Sequence, residues 1–436
     1  VAVAGACAAA QEAARAPLAL SLRRAIELAL APEGNARVQL AGEAVRAAEA
    51  RSAESRAALL PDVSATAAVQ NFTRNLEAFG IRLRQGPPGF EFPTVVGPLT
   101  VYDARAALSQ SIFDFSLIRR YQASRAVVRA ARSELGSTEE EVAAAVARAY
   151  LAAQRAEADV EARRANIELA EALLRQAENQ KTAGTGTGIE VTRARVQLAS
   201  ERQRLIGAEN ELRRARRELL RALGLRLNTA LELADKLTYT PVEDATLAGA
   251  RAEALRNRSD LKAQQEREQS ARLAADAAGW ERLPSVAGFA DYGSIGADIG
   301  RLLPTRVYGL AVRVPVFDGG RRQARRAESQ AQYRQERIRT RDLREQVDLE
   351  VELALDGLRS AAELVGVSEE GLKLAEAELA QARRRYEAGV APGLEVTDAQ
   401  TRLERARDNR IAALFQHQQA RIDLGRASGS IRRMLP

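Results

Sequence analysis

Apolar residues recur along this chain at two spacings, one helical and one with period two, and the alternation between them sets out the elements. From about Leu18 to Leu59 the spacing is helical, with a break at Pro32-Glu33-Gly34-Asn35. That helix should end at Leu60-Pro61-Asp62-Val63, because proline lacks a backbone N–H and biases its predecessor toward extended geometry. Val63, Ala65, Ala67 and Val69 then alternate with Ser64, Thr66 and Gln70, the period of a strand of about ten residues. The Gly/Pro-bearing stretch from Asn71 to Pro98 reads as a long loop. A second strand, Leu99 to Phe113, carries Tyr102, Ala104, Ala106, Leu108 and Ile112 on one face. From Ser116 to Thr182 the helical signal contains no proline, and a straight helix of that length would span roughly 100 Å. A glycine-rich turn follows, then a helix from Glu190 to about Leu223.

The second half repeats this order. A helix covers Leu247 to Trp280, and Leu283-Pro284-Ser285-Val286 echoes the earlier Leu-Pro-Asp-Val. A strand runs to about Tyr292, then a Gly-rich loop. In a further strand, Arg306 to Phe317, Tyr308, Leu310, Val312, Val314 and Val316 alternate with Gly309, Ala311 and Arg313. A long helix, Arg321 to Glu387, leads through a second glycine turn to a last helix ending near Gly425. The turns themselves match: Ala183-Gly184-Thr185-Gly186-Thr187-Gly188-Ile189-Glu190-Val191-Thr192 returns 205 positions later as Ala388-Gly389-Val390-Ala391-Pro392-Gly393-Leu394-Glu395-Val396-Thr397. The chain is an internal duplication. Its expected organisation is a tail at 1–16, a first repeat at 17–224, a connector at 225–246, a second repeat at 247–428 and a tail at 429–436.

Composition narrows the function classes. Only 4% of residues are aromatic and 28% are charged, a mix suited to long helices with small-residue seams. The formal charge of +7 raises nucleic acid as a partner, but Arg and Glu interleave along the helices, as in Glu209-Asn210-Glu211-Leu212-Arg213-Arg214, and that pattern describes a solvated helix face. One Cys and one His leave no disulfide framework and no ordinary zinc site. No catalytic set, cofactor motif or metal cluster is expected; the Gly-Thr-Gly-Thr-Gly run follows a helix and lacks the Lys-Ser/Thr ending of a phosphate loop. Residues 1–10, Val-Ala-Val-Ala-Gly-Ala-Cys-Ala-Ala-Ala, resemble the tail of a secretory signal and imply export. Cys7 is then either a lipidated residue or part of a discarded signal. Four short strands leave open edges, and a closed membrane barrel needs at least eight, so several copies must pool their strands.

Two stretches carry a family resemblance. Val314-Pro315-Val316-Phe317-Asp318-Gly319-Gly320-Arg321-Arg322, with Ser111-Ile112-Phe113-Asp114-Phe115-Ser116 as its first-half partner, resembles the strand-to-helix junction of TolC-like outer-membrane efflux proteins. Tyr386 through Ala399 resembles that family's periplasmic hairpin. The resemblance spans nearly the whole chain and implies a mostly α protein with a small transmembrane β part, built of duplicated long helical hairpins plus four strands. Three copies would close a twelve-stranded β-barrel continued by a twelve-helix α-barrel. It further implies an outer-membrane location with a periplasmic extension. The implied function is export of drugs, toxic compounds or proteins in a tripartite efflux or type I secretion system. The implied partners are sister subunits of a homotrimer, outer-membrane lipid, a periplasmic membrane-fusion adaptor and an inner-membrane pump of RND or ABC type. Nucleic acid is not among them. The alternative class is a coiled-coil structural or adaptor protein of the cell envelope, which would need no alternating strands.

The resemblance also assigns residues. The hairpin tips, with Ala183, Gly184 and Gly188 in one and Ala388, Gly389 and Gly393 in the other, are expected to meet the adaptor, while the glycines allow tight helix reversal. Asp398 matches an acidic ring at the tunnel entrance, and Glu395 lies three residues before it on the same helix side. The family's basic residue after the turn glycine is replaced here by Ala391. Tyr386 either cross-links helices at this entrance or packs within its own subunit. Arg105 and Arg313 fall opposite the apolar faces of their strands and are expected to line a barrel lumen, since a charge facing mid-membrane lipid costs roughly 2–4 kcal/mol. His417 is expected to pack, and Trp280 either marks a membrane interface or fills a gap between helices.

Overall fold

The computed structural model describes residues 18–80, 94–241 and 246–431; Cys7 and the tails around it lie outside the described residues. The element order is β1 (Leu18–Leu20), α1 (Leu22–Leu30), α2 (Ala36–Ala57), β2 (Asp62–Asn75), β3 (Val95–Phe113), α3 (Phe115–Thr182), α4 (Gly188–Leu223), β4 (Leu231–Leu233), α5 (Leu247–Asn257), α6 (Ser259–Trp280), β5 (Ser285–Gly296), β6 (Leu303–Arg313), α7 (Arg321–Glu387) and α8 (Gly393–Ala427). Contacts gather these into two units, each drawing on both sequence halves. Of the described residues, one holds 18–44, 131–241, 246–263 and 340–431; the other holds 45–80, 94–130 and 264–339.

The second unit contains a four-stranded sheet in the order β2-β3-β5-β6, antiparallel throughout. β2 pairs Asp62 with Ser109 at one end and Asn75 with Val95 at the other. Part of the stretch expected to be loop, 71–98, is therefore strand, because Asn71 and Thr100 pair and their side chains bond at 2.9 Å. The last strand is displaced from its expected span. It begins at Leu303 and ends at Arg313, since Arg313 is the last residue with a partner on β5 and Pro315 has no N–H to give. Beyond it Val316 and Phe317 are 93% and 88% exposed.

Both strand-to-helix junctions use an aspartate. Asp114 Oδ1 accepts from the Ser116 and Leu117 amides at 2.8 and 3.2 Å, and Asp318 Oδ2 accepts from Arg322 N at 3.2 Å. Each satisfies helix-start donors that would otherwise lack partners. Gly319 and Gly320, with φ +68° and +86°, supply the left-handed backbone that the second junction requires. Trp280 fills a gap here: its ring meets Phe115 edge-on at 5.5 Å, and the Arg119 guanidinium lies 4.4 Å from its centroid.

The first unit is helical around a small parallel pair, β1 with β4. Leu18–Leu20 was expected to be helical; it is extended because the backbone bonds to 231–233. This pair adds two strands to the four foreseen. The predicted break at 32–35 separates α1 from α2. Tyr150, fully buried, ties this region together: its hydroxyl donates to Leu20 O or Asp235 Oδ2, at 2.9 and 3.0 Å, while Asp235 Oδ2 also takes the Leu22 amide at 2.8 Å. Around it packs an alanine-rich core including Ala143, Val146, Ala147, Leu219, Leu223 and Ile422.

The expected single helix from Leu247 to Trp280 is interrupted at Arg258, whose ψ of 119° leaves the helical range. Its side chain is 6% exposed and donates to Asp260 at 2.6 and 3.0 Å and to Glu350 at 2.5 Å. Arg258→Met removes the buried cation from two partly exposed carboxylates, a change that costs roughly 1–3 kcal/mol. Denaturant unfolding followed by helical circular dichroism should show that loss; an unchanged midpoint would mean the interruption carries no stability.

Candidate functional site

Two regions carry the candidate residues, one in each unit. In the helical unit the α3–α4 and α7–α8 turns close by the same bonds. Gly184 N donates to Lys181 O at 3.1 Å, and Thr185 N and Gly186 N both reach Gln180 O. In the second turn Gly389 N donates to Tyr386 O at 3.1 Å and Val390 N to Arg385 O at 3.0 Å. Gly184 and Gly389 have φ of +75° and +74°, where an L side chain meets its own carbonyl. Gly188 and Gly393 take ordinary helical geometry, so the reversal does not need them. Gly186, which the pattern did not single out, is required by space instead: a Cβ there would lie 2.9 Å from Lys181 N. Glu190 Oε2 accepts from Thr187 N at 3.0 Å and stabilises the start of α4. Ala183, Gly184, Gly188, Ala388 and Gly389 are exposed, and Gly393 is partly covered.

The entrance candidates have different surroundings. Tyr386 is buried against Ala382, Val396, Ala399 and Leu403 of its own chain, and its ring lies beside Gly393. Burial, and secondarily the Glu190 carboxylate, raise its hydroxyl above the ordinary tyrosine value. Its packing role within the subunit is therefore explicit. Glu395 pairs with Arg385 at 3.3 Å across the turn. Asp398 stands exposed on the next turn of α8.

Sequence reasoning missed a polar seam further along α4 and α8. Glu201 and Glu404 are 0% and 4% exposed, and both accept from Arg204 Nη1 at 2.7 Å and from Gln197 Nε2 at 3.0 and 3.2 Å. Glu201 falls three residues after buried Leu198, and Glu404 four residues after buried Gln400, so each carboxylate occupies the buried stripe of its helix. His417 is also buried, its ring tilted 48° against that of Tyr239 with centroids 4.7 Å apart, and burial lowers its basicity.

In the sheet unit the pleat sorts residues into two faces. One carries Ser64, Thr66, Asp103, Arg105, Asp291 and Arg313; Arg105 pairs with Asp103 at 2.6 Å and Asp291 at 3.4 Å. Arg313 sits at the strand end opposite Ser285, away from that ion cluster. The other face carries Val63, Val69, Leu108, Tyr292, Tyr308, Leu310 and Val312, and Val69, Tyr308 and Leu310 are 65%, 78% and 70% exposed.

The glycine geometry gives a paired test. Gly389→Val forces a branched side chain into the left-handed region at a cost of roughly 1–2 kcal/mol, seen as faster amide exchange through 388–393. Gly188→Ala leaves exchange in its own turn unchanged or slower. Equal effects from the two changes would contradict this reading of the turns.

The comparisons agree with this geometry. A family model described as outer membrane efflux protein matches residues 28–225 and again 250–430. No curated protein sequence matches the chain. Among solved structures, the outer-membrane channel OprN shares 21% identity at a TM-score of 0.80, over 95% of this chain and 91% of its own. The outer membrane protein VceC of Vibrio cholerae shares 19% identity at 0.79, over 94% and 96%. The open-state MtrE outer membrane channel of Neisseria gonorrhoeae shares 17% at 0.77, over 94% and 90%. Identities this low speak for the fold, and the family model supplies the rest. Matched by that model over most of its length, the chain belongs to the outer membrane efflux protein family and is an outer-membrane efflux channel, not an enzyme.

Proposed function

We propose that three copies of this chain join edge to edge into one conduit that crosses the outer membrane and continues into the periplasm. The observation that carries this is the pair of open edges, β2 and β6. With all internal pairings antiparallel and four strands in the sheet, β2 and β6 run in opposite directions, so β6 of one copy meets β2 of the next as an antiparallel neighbour. That contact is head-to-tail and repeats until a ring closes. In lipid the closure is obligatory, because an open edge leaves backbone donors and acceptors unbonded.

The apolar face with its tyrosines then meets lipid, where aromatic residues favour the interfaces. The face with Ser64, Thr66 and the Arg105 ion cluster lines water. Arg105 and Arg313 serve there as wetting charges. The exposed hairpin tips, Ala183-Gly184 to Gly188 and Ala388-Gly389 to Gly393, are the docking points for a periplasmic membrane-fusion adaptor, and an inner-membrane pump of RND or ABC type supplies the energy. Three copies of Asp398, exposed on α8, gather like charges about the axis at the inner entrance; Glu395, already paired to Arg385, contributes less. Tyr386 fixes the α7–α8 turn that presents Asp398.

Planar-bilayer recording of the full-length protein tests this reading. Wild type should give stable single-channel currents blocked from the entrance side by multivalent cations. Asp398→Ala should bind those cations about tenfold more weakly, a loss of about 1.4 kcal/mol. Conductance and block that stay the same in Asp398→Ala would remove the entrance assignment, and the absence of any current would remove the conduit.

A further inference from the structure

The seam between the two hairpins has a feature that channel architecture alone does not require. Glu201 on α4 and Glu404 on α8 face each other across a hydrogen-bonded bridge to both, the Arg204 guanidinium and the Gln197 amide. Four donor contacts reach these carboxylates, yet Glu201 Oε2 is buried with no partner. A carboxylate oxygen shut away from water without a donor is costly, and two carboxylates beside one cation leave a negative charge over. A proton on Glu201 cancels the excess charge, and the Glu404 carboxylate beside it is the acceptor for the hydroxyl so formed.

We propose that Glu201 and Glu404 form a proton-binding site that fastens the α3–α4 hairpin to α8, and that losing its proton loosens the two hairpins. The surrounding charges are accounted for on every element lining the adjoining cleft. From α3, Arg163 is committed to Asp408 at 2.6 Å, and Asp159 lies 3.9 Å from Arg155. From α4 come Arg204 and Glu211, and from α8 come Arg405 and Asp408. Arg407 is held by Asn166 at 2.7 Å. Among the described residues Arg204 is thus the one cation bonded to the pair, and it can neutralise only one of its members. The cleft, of about 480 Å³, is lined by Arg204, Glu404 and Asp408. Arg204 and Asp408 are 47% and 44% exposed, so protons can exchange with solvent.

The direction of the effect follows from burial. Removal from water, and next the charge of Glu404, push the Glu201 carboxyl far above the ordinary carboxylate range, to about 7. Its value in the folded chain exceeds that of an unfolded one, so the helix contact is strongest in acid, below the unfolded value. It weakens as pH rises through neutrality and stays weak above. The seam lies along the same hairpins whose tips are exposed, so loosening it moves the tips relative to each other. Only this consequence for the entrance rests on the channel reading.

The experiment places spin labels at Thr185 and Val390 of the full-length chain, in a Cys7→Ser background, and reads the tip-to-tip distance by pulsed electron resonance. Between about pH 5 and about pH 9, bracketing the raised carboxyl, wild type should shift reversibly from a short, narrow distribution to a longer and broader one. Glu201→Gln and, independently, Glu404→Gln should each hold the short distribution at both ends of the range, because an amide copies the protonated carboxyl. A wild-type distribution indifferent to pH, or a full shift retained in both variants, would overturn the proposal. Bilayer currents recorded on the same samples separate the two ideas: a tip shift without current supports the proton site and removes the conduit.

Discussion

A strand at the margin of a sheet directs every second N–H and C=O away from its only neighbour. In this chain β2 and β6 both end that way. Water can satisfy those groups; lipid cannot. The sheet nevertheless turns large aliphatic and aromatic side chains outward on one face while burying none of them, the opposite of what a water-soluble sheet does. In the conduit proposed above both facts are reconciled, because β6 of one copy covers β2 of the next. The remaining architecture serves that requirement: antiparallel order gives edges of opposite direction, and aspartate-capped junctions pass the chain from strand to helix without an unbonded turn.

The helices meet a different problem. They have few large apolar residues, so close approach comes from alanine, and ion pairs add cohesion, within a hairpin as Arg216 with Glu157 and between hairpins as Arg163 with Asp408. Exposed pairs of this kind contribute little individually, a median of roughly 0–1 kcal/mol. Buried polar groups matter more, because their loss leaves a partner stranded. Tyr150 with Asp235, Arg258 with Asp260 and Glu350, and the carboxylate pair at 201 and 404 are three of the places that join separate stretches of chain.

Much of this was legible in the residues. Period-two alternation located all four sheet strands and sorted Arg105 and Arg313 to the polar face, because the pleat converts spacing directly into sidedness. The recurrence of Ala-Gly at 183 and 388 located both turns. What could not be read depended on distant partners. Leu18–Leu20 is extended only because 231–233 lies beside it, and Arg258 breaks a helix only because Asp260 and Glu350 hold its side chain. The strand after Gly296 was shifted toward its start because register is fixed by β5, whereas alternation continues past Arg313 with no neighbour to pair. Glu201 and Glu404 were hidden for a related reason: a charged residue in a charged helix draws no attention until its position on the buried stripe is known.

Amide exchange on the lipid-embedded protein tests the central claim most directly, comparing the outward-pointing amides of β2 and β6 with those of β3 and β5. Edges completed by sister subunits should exchange as slowly as the interior strands. Outward amides on β2 and β6 that exchange at the rate of an open edge, while β3 and β5 stay protected, would show that each copy keeps its sheet to itself and that no closed conduit exists.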